Sequence, residues 1–155
     1  MSEHLIGVIS DTHGLLRPEA VKALRGVEMI LHAGDIGKPE IISELENIAT
    51  VTAVRGNNDR DEWAAEIPET QIVQIGGVLI YMLHDFKELG VDPAEEKHRV
   101  VVSGHSHMPS IYRRSGLLYL NPGSAGRRRF KLPVCVALLS IKNGETSGEI
   151  VELSV

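Results

Sequence analysis

Residues 5–14, LIGVISDTHG, constrain this chain more than any other stretch. Leu5, Ile6, Val8 and Ile9 form an apolar run around Gly7 that is too short for a helix and suits a strand buried on both faces. The run breaks off at Ser10-Asp11-Thr12-His13-Gly14. A carboxylate and an imidazole two residues apart, set where a buried strand gives way to a glycine turn, can converge on one point beyond the sheet edge. In open α/β sheets that is where ligands sit. Taken alone, the stretch also fits a plainer reading, in which Asp11 caps the next helix and His13 is an exposed loop residue. Repetition separates the two, because apolar strands ending in metal-binding residue types recur four more times downstream.

After Gly14, Pro18 suits the first turn of a helix whose Ala20, Val21, Ala23 and Leu24 fall at helical spacing and which Gly26 stops. Residues 28–32 are the next strand, ending in Ala33-Gly34-Asp35, where Gly34 permits the tight turn that lets Asp35 project as Asp11 does. Pro39 opens a second helix with Ile41, Ile42, Leu45 and Ile48 on one face. Residues 51–54 form a third strand running into Arg55-Gly56-Asn57-Asn58-Asp59. Two βαβ units follow from this order, and with them a parallel sheet whose three loops share one edge.

The second half reads differently. Residues 70–75 and 78–83 flank Gly76-Gly77 as a hairpin whose second strand ends at His84. A short polar helix is expected around residues 93–98, followed by a strand over 100–103 and Gly104-His105-Ser106-His107. Residues 110–114 and 117–121 pair across Ser115-Gly116, and 132–141 and 148–155 flank the turn Lys142-Asn143-Gly144-Glu145. We therefore expect a parallel βαβ half and a mostly antiparallel half, forming one two-sheet α/β domain over residues 1–155.

Five strand ends now carry Asp11 with His13, Asp35, Asn57, His84, and His105 with His107. Oxygen and imidazole donors without thiolate suit manganese, iron, zinc, nickel or magnesium, and three or more imidazoles disfavour magnesium alone. Seven ligands exceed what one catalytic ion takes from protein, but match two divalent ions sharing a carboxylate. Histidines at i and i+2 of an extended segment point the same way, so His105 and His107 can serve neighbouring ions. A metal-free cluster of this kind costs several kcal/mol per unpaired ion.

These residues carry a resemblance. Asp11-Thr12-His13, Gly34-Asp35, Gly56-Asn57-Asn58-Asp59, His84 and Gly104-His105-Ser106-His107 resemble, in order, the motifs of the calcineurin-like binuclear metallophosphoesterase superfamily. Small size and Asn121-Pro122-Gly123-Ser124 are most similar to its compact phosphodiesterase branch, which also contains the retromer subunit of this fold. The resemblance implies a four-layer αββα sandwich of two mixed β-sheets, with metals at the strand ends. One ion would take Asp11, His13 and His107, the other Asn57, His84 and His105, and Asp35 would bridge them. Manganese is the first choice of metal. A water between the ions would lose its proton and attack phosphorus in a small phosphate ester. Asp35, Asn57, Asn58 and Asp59 would carry the chemistry, with Asp59 orienting its neighbour.

Two departures from the family pattern matter. Many members have a histidine where this chain has Asn58, and an amide supplies no proton to a leaving group. That favours a diesterase over a monoesterase, the rival within the family. Asp85-Phe86 also follows His84 where a Gly-His pair is common. A non-catalytic binding scaffold of this fold is the alternative from another class, though all seven ligand types are present.

The remaining features set bounds. A net charge of −5 argues against a broad nucleic-acid surface. Apolar stretches fall short of the ~20 residues of a membrane span, so we expect a soluble protein. One cysteine, Cys135 in an apolar run, and no leader pattern point to the reducing cytoplasm. Self-association into a homo-oligomer stays open. Residues 121–124 fit either a phosphate cradle or a tight turn. Arg127-Arg128-Arg129 fits a solvated surface or a grip on a non-scissile phosphate, and Arg55 a phosphate contact. His32 is expected to pack behind the site, while His4 and His98 are expected to be exposed without a role.

Overall fold

A computed structural model describes residues 3–155. The first sheet has the order β10-β9-β1-β2-β3, with β1 (Glu3–Ile9), β2 (Met29–His32), β3 (Thr50–Ala53), β9 (Cys135–Lys142) and β10 (Glu145–Glu152). The second has the order β4-β5-β6-β8-β7, with β4 (Thr70–Ile75), β5 (Val78–Leu83), β6 (Val100–Val102), β7 (Ser110–Arg114) and β8 (Leu117–Asn121). Both sheets are mixed. As the βαβ pattern requires, β1, β2 and β3 run parallel, while β9 returns from the far end of the chain to pair antiparallel with β1.

Alternation along β1 sets the layers. Ile6 and Val8 face the second sheet, where they meet Ile80, Met82, Val100, Val102, Leu118 and Leu120 in the main core. Ile9 faces the other way, onto α1 (Pro18–Ala23) and α2 (Pro39–Glu46), whose Ala20, Ile41 and Leu45 cover the outer face of the first sheet together with Leu24. Gly7 shares that outer face, and a Cβ there would come within 2.6 Å of Leu24. Burying each such Leu or Ile contributes about 1.5–3 kcal/mol, so these two cores fix the sheets against each other and the helices against the first sheet. The outer layer over the second sheet is thin. Leu83, Val101 and Leu117 are covered there by Leu89, Tyr81 and Tyr119 rather than by a full helix.

Two expectations need correction. Residues 93–97 form a turn, not a helix: Lys97 adopts a left-handed φ of 63° and the His98 amide closes the turn on Pro93 at 2.9 Å. As expected, the second half is mostly antiparallel, with β6 parallel to both its neighbours. The last hairpin turns on Asn143-Gly144 alone, both with positive φ, so β10 starts at Glu145 and residues 132–134 precede β9. No helix among the described residues is long and apolar enough to cross a membrane.

Candidate metal centre

Each expected ligand leaves the end of a strand. Asp11 and His13 follow β1, Asp35 follows β2, Asn57 follows β3, His84 follows β5, and His105 and His107 follow β6. The loops are laced together by backbone hydrogen bonds: Asp11 N–H to Gly34 O, His13 N–H to Asp35 O and Gly104 N–H to His84 O, each 2.9 Å. Among the described residues nine non-glycines have positive φ, and five are expected ligands: Asp11, His13, Asp35, His105 and His107, at 47–69°. That backbone costs an L-residue roughly 1–2 kcal/mol, and nothing in the sequence announces it. Two glycines let the loops close. A Cβ on Gly56 would lie 2.1 Å from Asp35 Oδ1, and one on Gly104 would lie 2.1 Å from Ser10 Oγ.

The side chains fall into two groups, Asp11, His13 and His107 in one and Asp35, His84 and His105 in the other, with candidate ligand atoms within 4.8 Å of one another in each. Asp11 Oδ1 lies 3.4 Å from His107 Nε2, 3.7 Å from His13 Nε2 and 3.8 Å from His84 Nε2. Asp35 Oδ2 lies 3.3 Å from His84 Nε2 and 3.7 Å from His13 Nε2, and so reaches both groups. The His84 Nδ1–H donates to Ala33 O at 2.7 Å, which turns Nε2 toward the carboxylates. His105 Nδ1 is 3.3 Å from that Nε2.

Asp11 is fully buried. Its Oδ2 accepts from Ser10 Oγ at 2.7 Å and from the His105 N–H at 3.1 Å, but its Oδ1 accepts no hydrogen bond among the described residues. A bare buried anionic oxygen facing three imidazole nitrogens is expensive for protein alone and suited to a cation. By this test the residues fit divalent metal. Burial works against the charge on His84, yet the hydrogen bond to Asp35 and the attraction of Asp11 and Asp35 outweigh it and raise its pKa to about 9. Burial likewise opposes the charge on Asp35, but His84 and the Asn58 N–H lower its pKa to about 2. Asp11 is also held below its usual value despite burial, by His107, His84 and Ser10.

The asparagine loop divides its work. Asn57 is exposed and lines a cavity of about 230 Å³ with Arg55, His84, Asp85 and Glu88. Asn58 grips Asp35 twice, backbone N–H to Oδ1 at 2.9 Å and Nδ2 to Oδ2 at 3.1 Å. Asp59 is buried and accepts from the N–H groups of Ile36, Gly37 and Gly56 at 2.9–3.1 Å, bracing the loop after β2 against the loop after β3.

Other residues sort into support and surface. His32 is fully buried: the Gly34 N–H donates to its Nδ1 at 3.1 Å, so Nε2–H donates to Thr12 Oγ1 at 3.0 Å, and Thr12 donates onward to Ile36 O at 2.9 Å. Burial, opposed by Asp11 and Asp59, lowers its pKa to about 4 and keeps it neutral. Residues 121–124 are tied to the loops of the site: Asn121 Nδ2 donates to Gly104 O at 2.9 Å, and Ser124 Oγ to Asp11 O at 3.1 Å. Arg55 pairs with Glu69 at 3.1 Å, and Arg127, Arg128 and Arg129 are exposed. His4 is half-buried, 2.8 Å from Glu28, and His98 is buried against Tyr81, so neither is the exposed residue expected. Ser10 and Thr12, missed as functional residues, lie inside the Asp11 motif itself.

Comparison with known proteins identifies the family. A probable metallophosphoesterase of Methanothermobacter thermautotrophicus is 39% identical over 159 positions, covering 95% of this chain and 91% of the relative. The solved structure of an archaeal phosphodiesterase superposes with a TM-score of 0.78 at 25% identity, covering 95% of this chain and 99% of the other. Vacuolar Protein Sorting 29 from Cryptosporidium parvum shares the fold, with a TM-score of 0.77 at 22% identity and 99% coverage of both chains. Residues 5–144, which hold every carboxylate and imidazole of the two groups, match the calcineurin-like phosphoesterase superfamily domain, and the chain belongs to that superfamily.

Proposed function

We propose that this chain is a phosphodiesterase acting on small phosphate esters with two divalent cations. Asp11, His13 and His107 would hold one, Asn57, His84 and His105 the other, with Asp35 between them. The observation that carries the reading is Asp11 Oδ1, buried, unpartnered among the described residues and faced by three imidazoles. When bound, such cations supply Lewis acidity, lowering the pKa of water and neutralising phosphoryl oxygens. The protein supplies the rest. Ala33 O fixes the tautomer of His84, so its Nε2 is free for a cation once the proton held by Asp35 has left. Asn58 steadies Asp35 but has no dissociable proton, which suits a diester whose leaving group departs without a protein acid. Manganese is the first metal to add, and a reducing cytoplasm accords with buried Cys135, whose thiol burial pushes up.

Rates on bis(p-nitrophenyl) phosphate and p-nitrophenyl phosphate with added manganese test this directly. We expect the diester to be preferred, and Asp35→Asn to lower turnover at least about 10²-fold with loss of bound metal by elemental analysis. A strong monoester preference would reverse the substrate class. Unchanged metal content and turnover in Asp35→Asn would refute the site, and a chain that binds no metal and cleaves neither ester would be a scaffold.

A further inference from the structure

Six aromatic residues occur in the 155-residue chain. Three of them, Phe86, Tyr112 and Tyr119, gather on one shelf. Tyr112 and Tyr119 face each other across β7 and β8, their rings stacked at 5.0 Å and 9°, and Phe86 meets Tyr119 edge-on at 5.6 Å. Phe86 and Tyr112 stay 40% and 46% exposed, and Met108 beside them 57%. Stacked aromatics left in water forgo burial, which marks a contact surface rather than a core.

The shelf forms one wall of a groove of about 320 Å³, and Ser103, Ser106 and Asn121 form another part of its lining. That lining adjoins the candidate metal centre. Ser106 lies between His105 and His107, Phe86 follows Asp85, which is 3.8 Å from His105 Nε2, and Asn121 Nδ2 ties Ser106 Oγ at 3.1 Å. No charged side chain lines the groove, in contrast to the cavity lined by Arg55, Asp85 and Glu88. A neutral planar group suits such walls, with a ring face for stacking and hydroxyls for its polar edge. A second phosphate does not.

Building on the phosphodiesterase reading, we propose that the Phe86-Tyr112-Tyr119 shelf receives a nucleobase, so that the substrates are phosphodiesters of nucleosides. The matched probes are the p-nitrophenyl esters of thymidine 5′-phosphate and of methyl phosphate, which share a leaving group and differ in the substituent that stays. With manganese, we expect kcat/KM to favour the thymidine ester by about 10-fold, the scale of one base stacked on an aromatic ring. Tyr112→Ala, on an exposed edge strand, should bring the ratio near one, and Tyr112→Phe should restore it. Equal kcat/KM for the two esters, or a preference that survives both Tyr112→Ala and Phe86→Ala, would overturn the proposal. Should neither ester be cleaved, the hydrolytic reading falls and calorimetry with magnesium decides the shelf separately. Adenosine 5′-monophosphate binding about 10-fold more tightly than inorganic phosphate, with the difference lost in Tyr112→Ala, would support it; equal affinities would refute it.

Discussion

The two candidate ligand groups are built from the same residue types, one aspartate and two histidines each, yet they balance charge to different degrees. Around Asp35 the balance is internal: Asn58 donates to both carboxylate oxygens and a protonated His84 sits at 3.3 Å. Around Asp11 it is incomplete. One oxygen is held by Ser10 and the His105 amide, while the other faces imidazoles and receives no hydrogen bond among the described residues. A proton on His84 can stand in for a cation in the first case. In the second the same imidazolium lies farther off, 3.8 Å from Asp11 Oδ1, and makes no hydrogen bond to it.

Matched substitutions in chelated protein put the largest strain on this contrast. Asp35→Asn removes the nearer of the two carboxylates beside a buried imidazolium, 3.3 Å against 3.8 Å for Asp11, and should destabilise the chain by about 3 kcal/mol. Asp11→Asn, which removes a carboxylate with one unpartnered oxygen and keeps an acceptor for Ser10, should cost less, about 1 kcal/mol. Urea unfolding of the two variants checks the pair, and equal losses would break the comparison.

Next in size is a pH effect from the imidazole behind the Asp11 loop. His32 has its pKa lowered from 6.5 to about 4, so between those values the unfolded chain binds the extra proton. Its contribution is complete above pH 6.5 and is lost as pH falls toward 4, about 3 kcal/mol in all. His84 has the opposite sign and a separate window: its contribution is complete below pH 6.5 and is lost as pH rises through about 9. Urea midpoints of the chelated protein should therefore decline as pH falls from 6.5. A flat profile there would show that His32 is not held neutral.

The smallest effect concerns the clamp on Asp35. Asn58→His replaces an amide with a group that can donate a proton, and should shift the monoester-to-diester rate ratio upward by about 10-fold. An unchanged ratio would mean that leaving-group protonation does not set substrate class here.

Much of this arrangement was legible because it is local. The pair of positive-φ glycines at Gly76-Gly77, the βαβ rhythm of the first half and the carboxylates and imidazoles at strand ends are all short-range patterns. Other features depend on partners distant in sequence. The return of β9 to pair with β1 joins residues more than a hundred positions apart, and no periodicity in either strand names the other. His98 reads as polar and exposed beside Lys97 and Arg99, yet the left-handed turn at Lys97 sends it against Tyr81. The polar stretch before it has helix-forming residues but only one turn of space. At the site, residue types were readable but their backbone was not, since no side chain of Asp or His demands a positive φ.

That last feature bears on engineering. Five of the seven expected ligands sit on main chain that L-residues ordinarily avoid, held there by reciprocal bonds between neighbouring loops. Transplanting the seven side chains onto ordinary strand ends of another scaffold would aim them wrongly. A successful graft must carry the loops as a unit, together with the glycines that let them interlock.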